Sequence, residues 1–181
     1  MTIKRLLLLS GPMRSGKSSV AQALKENHAF SGISSSGYLR GYAEQIGVIV
    51  ERSQLQDLGD RLDFETDFAW VIDAVARPAV EAAPSTENWL LDAVRKARQV
   101  DHFRAQFHHL VKHVHLCAPE QILRTRYVAE RSAADPDYGV AIAHPNEVAA
   151  RSLCSIADEI YDTTQTLATD IAARIVDNWE V

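Results

Sequence analysis

The sequence predicts an α/β fold in three layers, a parallel sheet of about five strands with helices on both faces. Three observations carry that expectation. Residues 3–9 are almost all apolar, the pattern of a strand buried on both faces. Residues 11–18 read Gly-Pro-Met-Arg-Ser-Gly-Lys-Ser, the spacing of a phosphate-binding P-loop. Short apolar runs then alternate with segments of helical spacing along the rest of the chain. Strand, glycine loop and helix in that order is the context such a loop requires, so the expected fold is the P-loop NTPase fold with a small lid.

The elements follow in order. The first helix covers residues 16–27, with Val20 and Leu24 on one face. Residues 30–34 make a short second strand, and Ser35 or Ser36 caps a helix through Tyr38, Leu39, Tyr42 and Ile46. Ser53 opens another helix over residues 55–62. Residues 64–80 keep helical spacing at Phe68, Ile72, Val75 and Ala76 until Pro78 disturbs the end. The apolar run 88–91 ends in Asp92 and reads as a buried strand. Residues 100–109 are helical, and residues 112–117 form a strand with His113 and His115 on one face. Pro119 suits the first turn of a helix over residues 120–131. Residues 132–144 are irregular, 145–157 helical, 159–161 a last strand and 167–178 the closing helix. Ligands of such sheets sit beyond the carboxyl ends of the strands, where the glycine loop and Asp92 meet.

The loop's residue types dictate its chemistry. Gly11 and Gly16 let the backbone curl close to a ligand, and the N–H groups of Met13, Arg14, Ser15, Gly16, Lys17, Ser18 and Ser19 surround an anion at a helix start. Lys17 reaches the β- and γ-phosphates of ATP, and the Ser18 hydroxyl is placed to hold Mg²⁺. Asp92 is a second candidate for the metal, or a base towards an acceptor hydroxyl; alternatively it caps the next helix. Arg95 lies on the same edge and clamps an acceptor phosphate, or is merely solvated. Arg124, Arg126 and Arg131 supply fixed positive charge to a moving phosphoryl group, with Arg126 favoured over Arg131; alternatively they pair with Glu120 and Glu130 on an exposed face. Tyr38 and Phe68 stack on a base or pack in the core, and core packing is favoured for Phe68. His108, His109, His113 and His115 lack zinc-type spacing and read as a polar, partly exposed strand edge rather than a metal site.

Bulk properties narrow the class. A chain of 181 residues suits one domain, and 46% hydrophobic with 24% charged residues is enough for a sizeable core. The net charge of −5 disfavours a general nucleic-acid binder, although a local basic patch stays possible. Cys117 and Cys154 are far apart, which argues against a disulfide scaffold and fits a reducing cytoplasm. No stretch has the length of a membrane span. N-K-x-D and D-x-x-G are both missing, which disfavours a GTPase, and Ala93 after Asp92 disfavours a motor.

Four segments resemble the compact nucleotide-kinase group, which includes deoxynucleoside monophosphate kinases, adenylate kinases and dephospho-coenzyme A kinases. They are residues 11–18; Ser36-Gly37-Tyr38-Leu39-Arg40 with Glu51-Arg52-Ser53-Gln54-Leu55-Gln56-Asp57-Leu58-Gly59; Trp89-Leu90-Leu91-Asp92-Ala93-Val94-Arg95; and Arg124-Thr125-Arg126-Tyr127 with Glu130-Arg131. Ala93 departs from the glycine common there, and Asp162 stands where many relatives carry asparagine. The resemblance implies a single kinase domain over residues 1–181, an acceptor-binding helical insertion at about 35–85 and a lid at about 124–144. It also places Arg40, Arg52 and Arg61 near the acceptor, with Arg40 and Arg61 as substrate-binding residues.

The expected activity is ATP- and Mg²⁺-dependent transfer of the γ-phosphoryl group to a small nucleotide, a (deoxy)nucleoside monophosphate first, by a monomer or homodimer. Two rivals stay open. One is a kinase of an alcohol, dephospho-coenzyme A or a hydroxymethylated base in DNA, with Asp92 as base. The other is an ATP-sensing module with little turnover.

Overall fold

The computed structural model describes residues 3–48, 50–92 and 94–179, with the backbone alone at Arg52 and Ser53. Five parallel strands form its centre: β1 (Arg5–Ser10), β2 (Phe30–Ile33), β3 (Asn88–Leu91), β4 (Val111–Cys117) and β5 (Glu159–Asp162). Their spatial order is β2-β3-β1-β4-β5. The leucines of β1 explain its central place. Leu6 and Leu8 enter one core and Leu7 and Leu9 the other, all fully buried, as the two-residue period of a strand covered on both faces requires. Registers Leu7↔Leu90 and Leu9↔Val114 fix its neighbours.

Helix α1 (Lys17–Asn27) packs Val20, Ala21 and Leu24 on the Leu7–Leu9 face, together with the closing helix. The opposite face takes the segments between β2 and β3. These are α2 (Ser35–Gln45), α3 (Arg52–Glu65), a π-helical stretch (Val71–Ala76) and α4 (Arg77–Ala82). The following helix α5 (Ala97–Phe107) adds Val100, Phe103 and Phe107 to that core. After β4 come α6 (Glu120–Glu130), α7 (Tyr138–Ala143) and α8 (Pro145–Ser152), and after β5 comes α9 (Ala168–Asp177). Leu123, Tyr127, Tyr138 and Ala141 form a separate small core joining α6 to α7, with Met13 of the glycine loop against it.

Several boundaries differ from the sequence expectation. The cap of α2 is Ser34, whose Oγ accepts from Gly37 N–H at 3.0 Å, so neither Ser35 nor Ser36 holds that position. Helix α3 starts at Arg52 with Glu51 at the cap, which puts Ser53 inside it; the Ser53 side chain lies outside the described residues. The expected helix over residues 64–80 is broken. Asp67 and Phe68 take φ of 49° and 65°, the left-handed region, in a turn that ends α3. Arg98 holds that turn by donating to Asp67 Oδ2 at 2.6 Å. The π-helical stretch beyond it buries Val71, Ile72, Val75 and Ala76. Residues 138–143, expected to be irregular, form α7 because Tyr138 and Ala141 bury against Tyr127.

The histidine strand is corrected more sharply. β4 lies between β1 and β5, not at an edge. His113 and His115 are fully buried, and Ser10 Oγ joins His113 Nε2 at 2.7 Å to His115 Nδ1 at 2.9 Å. One hydroxyl serves two rings by donating to one and accepting from the other. Tyr38 packs on the core, stacked against Tyr42 at 5.9 Å between centroids and near Trp70 at 5.7 Å. Phe68 is half-buried in the turn that ends α3. No helix among the described residues is long and apolar enough to cross a membrane.

Candidate active site

Because every strand is parallel, the ends of β1, β3 and β5 open on one edge of the sheet. The P-loop follows β1 there. Gly11 has φ of 143°, and a Cβ on it would lie 2.3 Å from Leu116 O. That contact, on the neighbouring strand's backbone, excludes every other residue. Gly16 caps α1 with φ of 88°, and Arg14 joins it in the left-handed region at 62°. The bend turns the loop amides inward at the helix start. Lys17 Nζ donates to Gly11 O at 2.8 Å and to Pro12 O at 2.7 Å, so the ammonium lies across the loop. Burial lowers its pKa to about 8, Glu147 and Asp92 oppose that shift and Arg95 adds to it. The lysine therefore stays largely protonated at neutral pH, with Asp92, Arg95 and Glu147 within electrostatic reach.

A cleft of about 1470 Å³ runs from this loop between α2 and α3 on one side and α6 to α8 on the other. Single-ligand pockets run to about 1,000 Å³, so two ligands fit. Gly11, Met13, Arg14, Gly16, Lys17, Ser18 and Ser19 line it, and so do Arg40, Arg95 and Arg126. Ser15 sits beneath, its buried Oγ without a partner. These groups fit a triphosphate and its magnesium. The loop is a cradle that a Cβ at Gly11 would obstruct, an ammonium crosses it, and the exposed Ser18 hydroxyl opens beside it.

Arg126 is braced rather than free. Nη1 donates to Thr163 Oγ1 at 2.9 Å and Arg14 O at 3.2 Å, and Nη2 to Thr163 O at 2.8 Å. It thereby ties α6 and the loop after β5 to the glycine loop. Arg14 pairs with Glu130 and lies over the Tyr127 ring at 5.9 Å. Arg40 and Arg95 have no side-chain hydrogen bond or ion pair among the described residues, and neither does Lys96, which also lines the cleft. Asp92 likewise has no hydrogen bond there, and Lys96 rather than Asp92 caps α5. Ala93 lies outside the described residues, as does the Arg52 side chain.

Two expected site residues point elsewhere. Arg61 faces away from the cleft, 3.7 Å from Glu65 one helical turn on, because the cleft side of α3 belongs to Gln56, Asp60 and Asp63. Arg131 ends α6 and pairs with Asp137 at 2.5 Å, outside the cleft lining.

Two further features of the site have no signature in the local sequence. Met13 N–H donates to Glu147 Oε1 at 2.8 Å, and Arg151 Nε donates to the same oxygen at 3.1 Å. A carboxylate thus already occupies a loop amide. Glu147 stands three residues after the cap of α8, where it reads as an ordinary first-turn acid. On the far wall Asp63 is buried, accepting from Trp70 Nε1 at 2.7 Å and Gln99 Nε2 at 3.5 Å. Burial raises its pKa, against the pull of the Trp70 N–H and of Lys96.

No protein-family model matches the chain, and no curated protein matches it in sequence. Solved structures do. The tunicamycin resistance protein of Deinococcus radiodurans aligns at a TM-score of 0.61 and 18% identity over 96% of this chain and 94% of its own. Shikimate kinase from Acinetobacter baumannii, in complex with shikimate, aligns at 0.57 and 18% over 97% and 92%. The YorR protein of Bacillus subtilis, in complex with phosphorylated GDP, aligns at 0.53 and 18% over 95% and 94%. The chain has the fold of the small P-loop kinases. That likeness extends over nearly its whole length and includes the five-stranded parallel sheet.

Proposed function

We propose that the protein is an ATP- and Mg²⁺-dependent phosphotransferase acting on a small anionic acceptor, with a (deoxy)nucleoside monophosphate as the favoured class. One observation carries the reading: a single cleft holds the glycine loop crossed by Lys17 and also Arg40, Arg95 and Lys96, whose side chains have no partner among the described residues. Cations without partners are stabilised by an anion that arrives with the ligand. In this proposal α2, α3 and the segments up to β3 bind the acceptor, and residues from about 124 to 144 form the lid. Bound MgATP supplies the phosphoryl group, and the metal offsets charge between its phosphates. Gly11 and Gly16 let the amides approach, Lys17 steadies the moving group and Ser18 holds the metal. Arg40 and Arg95 position the acceptor. Arg126, fixed by Thr163, presents positive charge without reorganising. An ionised phosphate acceptor is already a nucleophile and needs no strong base.

The deciding experiment is ADP release from MgATP with and without a panel of nucleoside monophosphates and of sugar and carboxylic alcohols. Stimulation by a monophosphate is expected. Tight ATP binding with no acceptor response would overturn the proposal in favour of an ATP sensor.

A second reading, an alcohol acceptor, draws on Asp92, which has no hydrogen bond among the described residues and lies within electrostatic reach of Lys17. Asp92→Asn separates the two. A phosphate acceptor predicts about a tenfold drop in kcat with weaker Mg²⁺ dependence, whereas an alcohol predicts the 10²–10⁴-fold loss that goes with removing a general base.

Glu147 makes a further expectation. Its charge competes with the γ-phosphate for Met13 N–H and for Lys17. Glu147→Gln keeps an oxygen acceptor and removes the charge. We expect it to tighten ATP binding by about threefold to tenfold, the range of a partly screened charge pair of about 1 kcal/mol. Weaker binding in calorimetry would contradict this role.

A further inference from the structure

The acceptor half of the cleft has two chemically opposite walls. Arg40, Arg95 and Lys96 supply the cationic one. The other is rich in hydrogen-bond acceptors and comes from α3 and the start of α8. Asp60 and Asp63 stand one turn apart on the cleft face of α3. Asp63 is 8% exposed, and Trp70 and Gln99 both donate to its Oδ1, leaving Oδ2 without a donor among the described residues. Asn146, 6% exposed, gives its Nδ2 hydrogens to Asp60 at 3.1 and 3.5 Å. That bond fixes the amide orientation, and the buried Oδ1 is left without a partner. A buried acceptor without a donor is costly, so Asn146 Oδ1 demands one, and Asp63 Oδ2 is open to another.

The two walls are connected. Gln99 Oε1 accepts from Arg95 N–H at 3.2 Å, and its Nε2 reaches Asp63 Oδ1. Gln99 therefore ties the backbone of Arg95 to Asp63, and both residues line the same cleft. A ligand that fills the cleft between these walls meets cations on one side and the Asp63 carboxylate on the other.

We infer that the acceptor carries, beside its anionic group, a pair of adjacent N–H or O–H donors that Asp63, with Asp60 and Asn146, receives. This rests on the proposed phosphotransferase reading and names the class of molecule the same cleft selects. Asp63 Oδ2 receives one of two neighbouring donors, and Asn146 Oδ1 or an Asp60 oxygen receives the other. A guanine edge presents such a pair in N1–H and N2–H, and a vicinal diol presents another. A uracil or thymine edge presents one N–H flanked by two carbonyl oxygens, and those oxygens face the carboxylate unfavourably. The inference therefore ranks ligands by donor pattern and not by size.

The test is calorimetric binding to the full-length protein, which does not require turnover. The ligands are GMP and gluconate as the two donor-pair anions, inosine monophosphate as the purine lacking N2–H, and UMP as the single-donor control. Wild type is expected to bind GMP or gluconate at least tenfold more tightly than UMP, and whichever of the two binds identifies the source of the donors. If GMP binds, inosine monophosphate falls between it and UMP. Asp63→Asn replaces an acceptor oxygen by a donor amide and is expected to remove that preference, lowering affinity for the preferred ligand at least tenfold while UMP changes less than threefold. Should Asp63→Asn fail to fold because Trp70 loses its partner, Asp60→Asn on the exposed side of the same wall is expected to shift the ratio in the same direction by about threefold. Equal binding of UMP and the donor-pair anions, binding of neither donor-pair anion, or an unchanged ratio in the folded variants would overturn the inference. A protein that binds as predicted yet transfers no phosphoryl group would leave this inference standing and defeat the phosphotransferase proposal.

Discussion

Lys17→Ala is expected to lower phosphoryl transfer by about a thousandfold, roughly 4 kcal/mol of transition-state stabilisation. The magnitude follows from position. The ammonium is already inside the loop, bonded to two of its carbonyls, and half-buried where charges are poorly screened. Phosphoryl transfer spreads negative charge over the moving group, and a cation fixed beforehand needs no reorganisation to meet it. Although burial lowers the pKa to about 8, an arriving polyphosphate favours the charged form, so the lysine is ionised in the complex. Lys17→Arg does not restore activity, because the planar guanidinium cannot thread the loop where a compact ammonium donates to Gly11 O and Pro12 O. The measurement is steady-state ADP release with the best acceptor, beside a thermal melt to show that the variant folds. Activity within tenfold of wild type would remove Lys17 from the mechanism.

What the sequence announced and what it withheld divide along physical lines. Local patterns were legible. β1 shows itself in Leu6, Leu7, Leu8 and Leu9, because a strand buried on both faces leaves no polar alternation to misread. The glycine loop shows itself because Gly11 has no room for a Cβ and Gly16 takes a left-handed φ of 88° that favours glycine. The run Asn88–Leu91 was placed to the residue. Contacts across long sequence separations were not legible. Glu147 meets Met13 from 134 residues away, and nothing near either residue encodes the meeting. The brace of Arg126 on Thr163 depends on how the loop after β5 approaches α6. Asp63 has no local signal either, since its burial depends on Trp70, seven residues on and beyond the turn at Asp67 and Phe68. Arg61 was misread for the complementary reason. Its resemblance-based placement ignored the helical phase that gives the cleft face to Asp60 and Asp63.

Stability is expected to fall by about 3 kcal/mol as the pH drops from 6.5 towards 4. The cause is the pair His113 and His115. Burial lowers both pKa values, that of His115 to about 4 from 6.5, with the charges of His113 and Lys17 adding to the shift. In the unfolded chain both rings protonate near pH 6.5, while in the folded chain they stay neutral. The unfolded state therefore binds more protons across that window, and stability declines as pH falls through it. Asp63 acts in the opposite sense, since its raised pKa lets the folded chain take up a proton early in acid. His115 pairs with Ser10, the last residue of β1 before Gly11, so a proton there also sets a second cation near Lys17 at the floor of the phosphate site. Denaturant melts at pH 7.5, 6, 5 and 4.5 read the effect directly. For a chain of 181 residues 3 kcal/mol corresponds to a Tm shift of about 6–12 °C. His115→Gln keeps a polar group beside Ser10 and cannot ionise, so it is expected to start less stable at pH 7.5 and to lose distinctly less between pH 6.5 and 4.5. An acid slope as steep as wild type in the His113→Gln/His115→Gln double variant would move the cause from this strand to the surface carboxylates.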